Sequence, residues 1–563
     1  MPGLSSAVRR GTLGLLGTVA AAGVLFFSLI LPPAPVRVDT SHWSDLAARE
    51  PAGAYHIHTT RSDGTGDKQA VAAAARRAGL RFVILTDHGN ATRAPDPPEY
   101  VDGVLCLDNV EISTDNGHYV ALDMPPSPYP LGGAGDTVVE DVHRLGGFGI
   151  AAHPDSAKPE LRWTGGDERI DGIEWLNADS EWRKDSRTRL VRAGLAYFFR
   201  PGPALTSLFD RPSTLDRWDR LTATRPVVGL AAVDAHGGVH GRDEHDDDRQ
   251  GTSDWPGVPS YFSSFASAID RVVLPAPLIG DAAADARAIY RAIRAGRVFS
   301  VVNGVAAPGL LDFHAETASG TRVEMGGILP PSAQATLLAR TALPPGGTIV
   351  LLHGGRETAA STSGELSERT DGAEGAYRIE IRVPGAPGHP PVPWLVGNPI
   401  YIGVTQPTAP PPSGAAVGTA PAFPWRIEKD PSSTATLQSS AHGAELEYTL
   451  GGGARHDQFV ALATDLSGAS LRAVRLGLSS ARPMRVLVQV RTADGSRWGR
   501  SFYVDPRGVT IDAALESFRP VGRGSGAPLE PGAVRSLLVA IDLTNALPGS
   551  SGVLRVLGSE LLK

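Results

Sequence analysis

Seven short apolar runs, separated by helix-like stretches, constrain what this chain can fold into more than anything else in its sequence. They cover residues 54–58, 81–88, 104–112, 118–122, 149–153, 172–177 and 227–236. Helical patterns lie between or after them at 69–78, 137–145, 187–199, 215–221 and 282–295. Apolar runs alternating with helices are the sign of a β/α fold. Seven such runs predict a seven-stranded β/α barrel, and in barrels of this build catalytic residues gather at the C-terminal ends of the strands.

The ionisable residues sit at those ends. The first run closes on His56 and His58. Residues i and i+2 of a strand share a face, so both imidazoles are expected to aim at one point. Asp63 follows in an acidic turn. His88, Glu111, His118, His153, Asp234 and His236 occupy the ends of later runs. Taken singly, each has an ordinary structural role: His88 could cap a turn, His153 could be a satisfied core histidine, Glu111 could be solvated at a strand edge. The chain has 15 histidines, and six of them fall at the ends of five of the seven runs. That concentration points to a shared purpose. Cys106 is the only cysteine, which excludes an intrachain disulfide and a cysteine-based metal site. Histidine with carboxylate suits Zn, Mn or Fe, and a carboxylate can bridge two ions. Water held between two ions loses a proton near neutral pH and becomes a nucleophile. The residues therefore predict a polynuclear metal-dependent hydrolase that uses divalent ions.

Size and composition bound the rest. At 563 residues the chain exceeds a single core and suggests roughly three to four domains. A net charge of −7 without a long basic run excludes a general nucleic-acid binder. Arg9 and Arg10 precede an uncharged run over 11–31, which as a helix would span about 31 Å, enough for a bilayer core. The basic residues in front place the N-terminus inside and the remainder outside, as in a single-pass inner-membrane protein with a periplasmic catalytic part. A cleaved signal peptide is the rival reading. The expected division is an anchor over 1–34, the barrel over 35–303 and a small β-sandwich over 304–405. A Pro/Gly/Ala/Thr linker over 406–424, extended and mobile, leads to a second β-sandwich over 425–563. The acidic run at 242–248 reads as a solvated lid.

The series His-x-His, Ser-Asp-Gly, Thr-Asp-His, Glu-Ile-Ser, Gly-His, Ala-His-Pro and Asp-Ala-His resembles the PHP (polymerase and histidinol phosphatase) family. The resemblance implies a distorted seven-stranded β/α barrel, TIM-like, with up to three metals. It implies one ion on His56, His58, Glu111 and Asp234, and a second on Glu111, His118 and His153, bridged to the first. A third would sit on Asp63, His88 and His236; Asp63 stands where some members carry histidine. Asp87 is expected to support the ligands and not to bind. Pro259-Ser260-Tyr261, Gly280-Asp281 and Ala295-Gly296-Arg297-Val298-Phe299 resemble the CehA/McbA branch, and Gly397-Asn398-Pro399-Ile400-Tyr401 the close of its appended sandwich. Asp542-Leu543-Thr544-Asn545 resembles a segment of galactose-binding-like jelly rolls, with Trp425 and Trp498 as candidate sugar-stacking residues. The expected activity is phosphoester hydrolysis by a metal-bridging hydroxide, with Asp234 or His236 carrying the proton. Arg61 is the preferred contact to an anionic small-molecule substrate, ahead of Lys158, Arg162, Arg183 and Lys184. The alternatives are hydrolysis of carbamates, amides or esters at the same centre, and a non-catalytic glycan- or surface-binding protein.

Overall fold

The computed structural model describes residues 23–24, 26–239, 255–256, 258–405, 423–440, 443–452, 458–466, 471–521 and 529–562. Most of the expected anchor, nearly all of the linker and the acidic run at 242–248 lie outside the described residues. Among those described, no helix is long and apolar enough to cross a membrane.

The fold is mixed α/β. Eight strands build the part that carries the predicted ligands: β1 (Ala52–Ile57), β2 (Phe82–Leu85), β3 (Val104–Asp108), β4 (Val110–Thr114), β5 (Gly117–Leu122), β6 (Phe148–Ala151), β7 (Gly172–Asn177) and β8 (Val228–Ala235). β1 pairs in parallel with β2 and with β8, and β2 with β3. β3 runs almost directly into β4, and Glu111 on β4 bridges His88 just beyond β2. β5 is antiparallel to both β4 and β6, whereas β6–β7 and β7–β8 are parallel. The pairings close a barrel, with the seven runs in sequence order around it. The reversed direction of β5 matters for the site. His118 is the second residue of β5, and because that strand runs backwards its beginning lies at the rim where its neighbours end.

Alternating side chains separate two cores, as strand geometry demands. On β2, Phe82 and Ile84 join Leu105, Leu107, Val120 and Ile150 in one cluster, while Val83 and Leu85 join a second one. In that second cluster they share a core with Val71, Ala72 and Ala75 of α1 (Lys68–Arg77). Asp67 caps α1 by accepting from the Ala70 amide at 2.8 Å. The helices further along are α2 (Gly135–Arg144), α3 (Ala178–Arg183), α4 (Arg187–Tyr197), α5 (Pro201–Thr206), α6 (Thr214–Thr222) and α7 (Ala282–Arg294).

The barrel and the appended part meet without a break near residue 303. Strand Ile269–Val272 lies antiparallel to β1, Val298–Val301 pairs with it, and Leu395–Gly397 pairs with Val298–Val301 in turn. A sheet edge needs a partner, and here the following region supplies it. Its strands Thr348–His353 and Gly375–Arg382 carry Ile349, Leu351, Ile379 and Ile381 into the same core as Ala54 and Ile57 of β1. A four-stranded sheet that includes Asp312–Thr317 and Ala335–Arg340 faces them.

Residues from Arg426 onward form a six-stranded and a five-stranded sheet around one core, a β-sandwich. Trp425 and Trp498 are buried in it, so neither offers a stacking face. The expectation of a freely tethered domain is corrected as well. Arg485 donates from Nε and Nη2 to the Asp141 carboxylate on α2, both at 2.7 Å, and all these groups are buried. Asn545 Nδ2 donates to the Pro130 carbonyl at 3.0 Å. The sandwich is seated on the barrel by buried polar contacts, which water cannot replace without leaving a charge unpaired.

Candidate metal centre

His56 and His58 do converge, with ring centroids 5.2 Å apart, but regular strand alternation is not the cause. Tyr55 stands opposite Ile84 and Ile57 opposite Leu85, so His56 is an extra residue on β1. Its φ is 67°, the left-handed region that costs a residue with a side chain on the order of 1–3 kcal/mol. His58 lies just past the end of the strand. Asp234 on β8 sits in a second register shift, between Ala232 and Ala235, with φ 45°; His153 has φ 50°. Bulges re-aim side chains, and here they turn consecutive strand ends toward one centre.

Glu111 is the hub. Its Oε2 lies 3.2 Å from His56 Nε2, 3.2 Å from His58 Nε2 and 3.3 Å from His88 Nδ1. Its Oε1 lies 2.9 Å from His118 Nδ1 and 3.0 Å from His153 Nε2. Asp234 Oδ1 faces His56 Nε2 and His58 Nε2 at 3.5 and 3.3 Å, and its Oδ2 lies 3.5 Å from His153 Nδ1. On the outer side, Asp63 Oδ2 is 3.1 Å from His236 Nε2 and 3.5 Å from His88 Nε2, while its Oδ1 is 3.2 Å from His58 Nδ1. All nine predicted ligands are thus brought together. They fall into overlapping groups compact enough to hold ions: His56, His58 and Asp234; His56, Glu111 and His153; His88, Glu111 and His118; and His58, Asp63, His88 and His236.

The donors fit metal for a reason beyond proximity. His56 Nε2, His58 Nε2, His88 Nδ1, Glu111 Oε2, His153 Nδ1 and Asp234 Oδ1 are buried without a hydrogen-bond partner. Orphaned buried polar atoms are rare and costly, yet six of them here point into one space. Burial opposes charge on the Glu111, Asp234 and Asp63 carboxyls, but the surrounding imidazoles outweigh it and hold all three well below the usual range. Burial likewise opposes charge on His56 and His58, and the same carboxylates override it and raise both well above the ordinary histidine value. The carboxylates of this site call for positive charge at its centre.

One supporting residue escaped sequence reasoning. Glu174, inside β7, accepts from His56 Nδ1 at 2.6 Å through Oε1. Its Oε2 accepts from the His153 amide at 2.9 Å and from Asn177 Nδ2 at 2.8 Å. A carboxylate only accepts, so the proton facing Glu174 stays on His56 Nδ1, and Nε2, turned to the centre, is the nitrogen that would give up its proton to bind an ion. The available signal was a lone carboxylate within an otherwise apolar run. Asp87 takes the supporting place expected of it: it accepts from the Thr59 amide and hydroxyl, each at 2.7 Å, and from Ser62 Oγ at 2.8 Å.

Arg61 is not brought to the ligands. Its guanidinium is tied to Asp96 and to Asp108, the latter at 3.1 Å. Lys184 pairs with Glu181 at 2.7 Å, and Arg183 pairs with Asp179 while lying over the Trp182 ring. Beside Asp234 and His236 a cleft opens, lined by Trp182, Leu205, Leu208 and Pro259, with Asp179 and Arg183 among its walls. Asn177 caps α3 by accepting from the Ser180 amide at 2.9 Å, which sets Trp182 in that wall.

Compared with known proteins, the chain matches no family model and no curated protein. Solved structures do match parts of it. The family 11 carbohydrate-binding module of the cellulosomal cellulase Lic26A-Cel5E of Clostridium thermocellum is 17% identical over 26% of this chain and 96% of its own, with a TM-score of 0.21. An exo-beta-agarase is 8% identical over 24% of each chain, with a TM-score of 0.18. Likenesses at these TM-scores carry no argument about what this chain binds.

Proposed function

We propose that this chain is a metal-dependent hydrolase with a distorted, TIM-like β/α barrel of the PHP type, acting first on phosphoesters. The observation that carries the reading is Glu111: its two carboxylate oxygens face separate sets of imidazoles across a space ringed by orphaned buried atoms. His56, His58, Glu111 and Asp234 would hold one divalent ion, and Glu111, His118 and His153 a second. Asp63, His88 and His236 would hold a third, with Zn, Mn or Fe suited to the donors. When bound, the ions supply positive charge for an anionic substrate and make water nucleophilic near neutral pH.

The chain's own residues do the remainder. Glu174 fixes the His56 ring and its tautomer. Asp87 pins the 59–62 turn that presents Asp63. His236 stands at the cleft with Nε2 toward Asp63 and Nδ1 3.1 Å from the Asp234 carbonyl, and it would carry a proton to a leaving oxygen only where the third site is left unfilled. The expected Arg61 contact to substrate has no support in its geometry, because two carboxylates already engage it. An extracytoplasmic location, anchored through the 11–31 run, belongs to the same proposal. The apolar cleft wall of Trp182, Leu205 and Leu208 favours a second reading, a carbamate or ester with a bulky apolar group.

The test is a comparison of kcat/KM for p-nitrophenyl phosphate, its phosphodiesters, and matched aryl carbamates and esters, with Mn²⁺ or Zn²⁺ supplied. The expected outcome is metal-dependent phosphate release, competitively inhibited by inorganic phosphate. Carbamate or ester cleavage without phosphate release would replace the first reading with the second.

A further inference from the structure

Thirteen large apolar side chains are exposed among the described residues, and eight of them fall on two adjoining stretches, 24–29 and 191–199. On α4, Val191, Leu195 and Phe198 stand at i, i+4 and i+7, one stripe of the helix and its last turn. Ala193 and Ala196 are buried on the other side. Phe198 is 81% exposed, an unusual position for a phenylalanine in water. Residues 187–209 contain four arginines and no acidic residue, in a chain of net charge −7. Arg189 is answered by Asp185 and Asp210, while Arg187 and Arg192 are exposed beside the stripe. The apolar run at 11–31 ends on this same face. The Phe27 ring meets Phe199 edge-on at 5.0 Å, and the Pro32 carbonyl accepts from Arg200 Nη1 at 2.6 Å.

We propose that α4 and the Phe198-Phe199 turn form an interfacial element that seats on an anionic bilayer surface beside the anchor. An apolar stripe flanked by arginines is the composition that lies in a headgroup layer, and anionic lipids attract arginines held near the surface. A second copy of the chain fits less well, because a two-fold contact would set the same arginines against each other. α3 and α5, on either side of α4 in the chain, contribute to the cleft beside Asp234 and His236. The inference rests on the anchored reading and deepens it.

The experiment uses the full chain in vesicles of phosphatidylcholine with and without phosphatidylglycerol. Cys106 is buried, so a nitroxide can be placed selectively at Phe198→Cys, at Leu195→Cys as a second position, and at Ile279→Cys as a distant exposed reference. The chain should float with the vesicles. Nitroxides at 195 and 198 should be reached by oxygen and shielded from a water-soluble nickel chelate, the more so with phosphatidylglycerol, while 279 stays open to nickel. Flotation with 195 and 198 as open to nickel as 279 overturns the element and leaves the anchor standing. Strong coupling between nitroxides at 198 on two chains assigns the face to a second copy and also overturns it. A chain that does not float removes the anchor and this proposal together, and leaves the metal chemistry to its own test.

Discussion

The rim of the barrel and the seam between α6 and strand Gly375–Arg382 both bury several charged side chains, and they treat them in opposite ways. At the seam, Arg378 donates from Nε and Nη2 to Asp219 at 2.6 and 2.8 Å, and from Nη1 to Glu380 at 2.8 Å. Arg211 donates to the same Glu380 oxygen at 2.8 Å, and Arg382 to its other oxygen at 3.1 Å. The cluster completes itself. At the rim, imidazoles and carboxylates approach to little over 3 Å, yet six of their atoms make no hydrogen bond. A self-satisfied cluster joins elements of a fold; one whose donors meet around a shared gap is built for a guest. Burial and charge alone would not have told the two apart.

Removing the hub should have the largest effect. Glu111→Ala is expected to lose more than one equivalent of metal per chain and to lower hydrolysis on the order of 10³-fold, the several kcal/mol that bound ions supply. Asp63→Ala should lose at most one equivalent. Elemental analysis of both variants checks this, and equal losses would break the bridging role of Glu111. Next, Arg378→Met should destabilise the fold by about 3–5 kcal/mol, since Asp219 and Glu380 remain buried without it. Denaturant unfolding measures that cost. Metal content per folded chain should stay at the parent value; a parallel loss would mean that the seam and the rim are one system. Smallest is Glu174→Gln, which keeps the shape but weakens the hold on His56. Metal affinity should fall roughly 10–100-fold, read by competition with a chromophoric chelator.

Much of the rim was legible in the sequence. The seven apolar runs became strands of one closed sheet, the third run giving two of them, and the nine ionisable residues at their ends came together, because strand ends are local features and the sheet gathers them on one side. What stayed hidden depended on distant partners. The reversal of β5 and the bulges at His56 and Asp234 are set by pairing between strands, which a single run does not display. Arg61 looked available until Asp96 and Asp108 were found holding it. Trp425 and Trp498 were candidates for a stacking face although tryptophans are more commonly buried, and the packing of two sheets puts both in the core. The seat of the C-terminal sandwich depends on Arg485 reaching Asp141, residues 344 apart in the chain, and nothing near either residue announces the other.

The left-handed backbone at His56, His153 and Asp234 has a consequence for the life of the protein as well as its chemistry. Three strained residues at about 1–3 kcal/mol each, beside orphaned polar atoms, would leave this end of the barrel prone to open in the absence of ions. Local opening of that kind exposes chain to proteases long before the whole fold is lost. Ions bound across the ends of six of the barrel strands would act as a clasp on that end. The supply of metal would then govern how long each copy survives, and turnover would be only one of the things a chelator takes away.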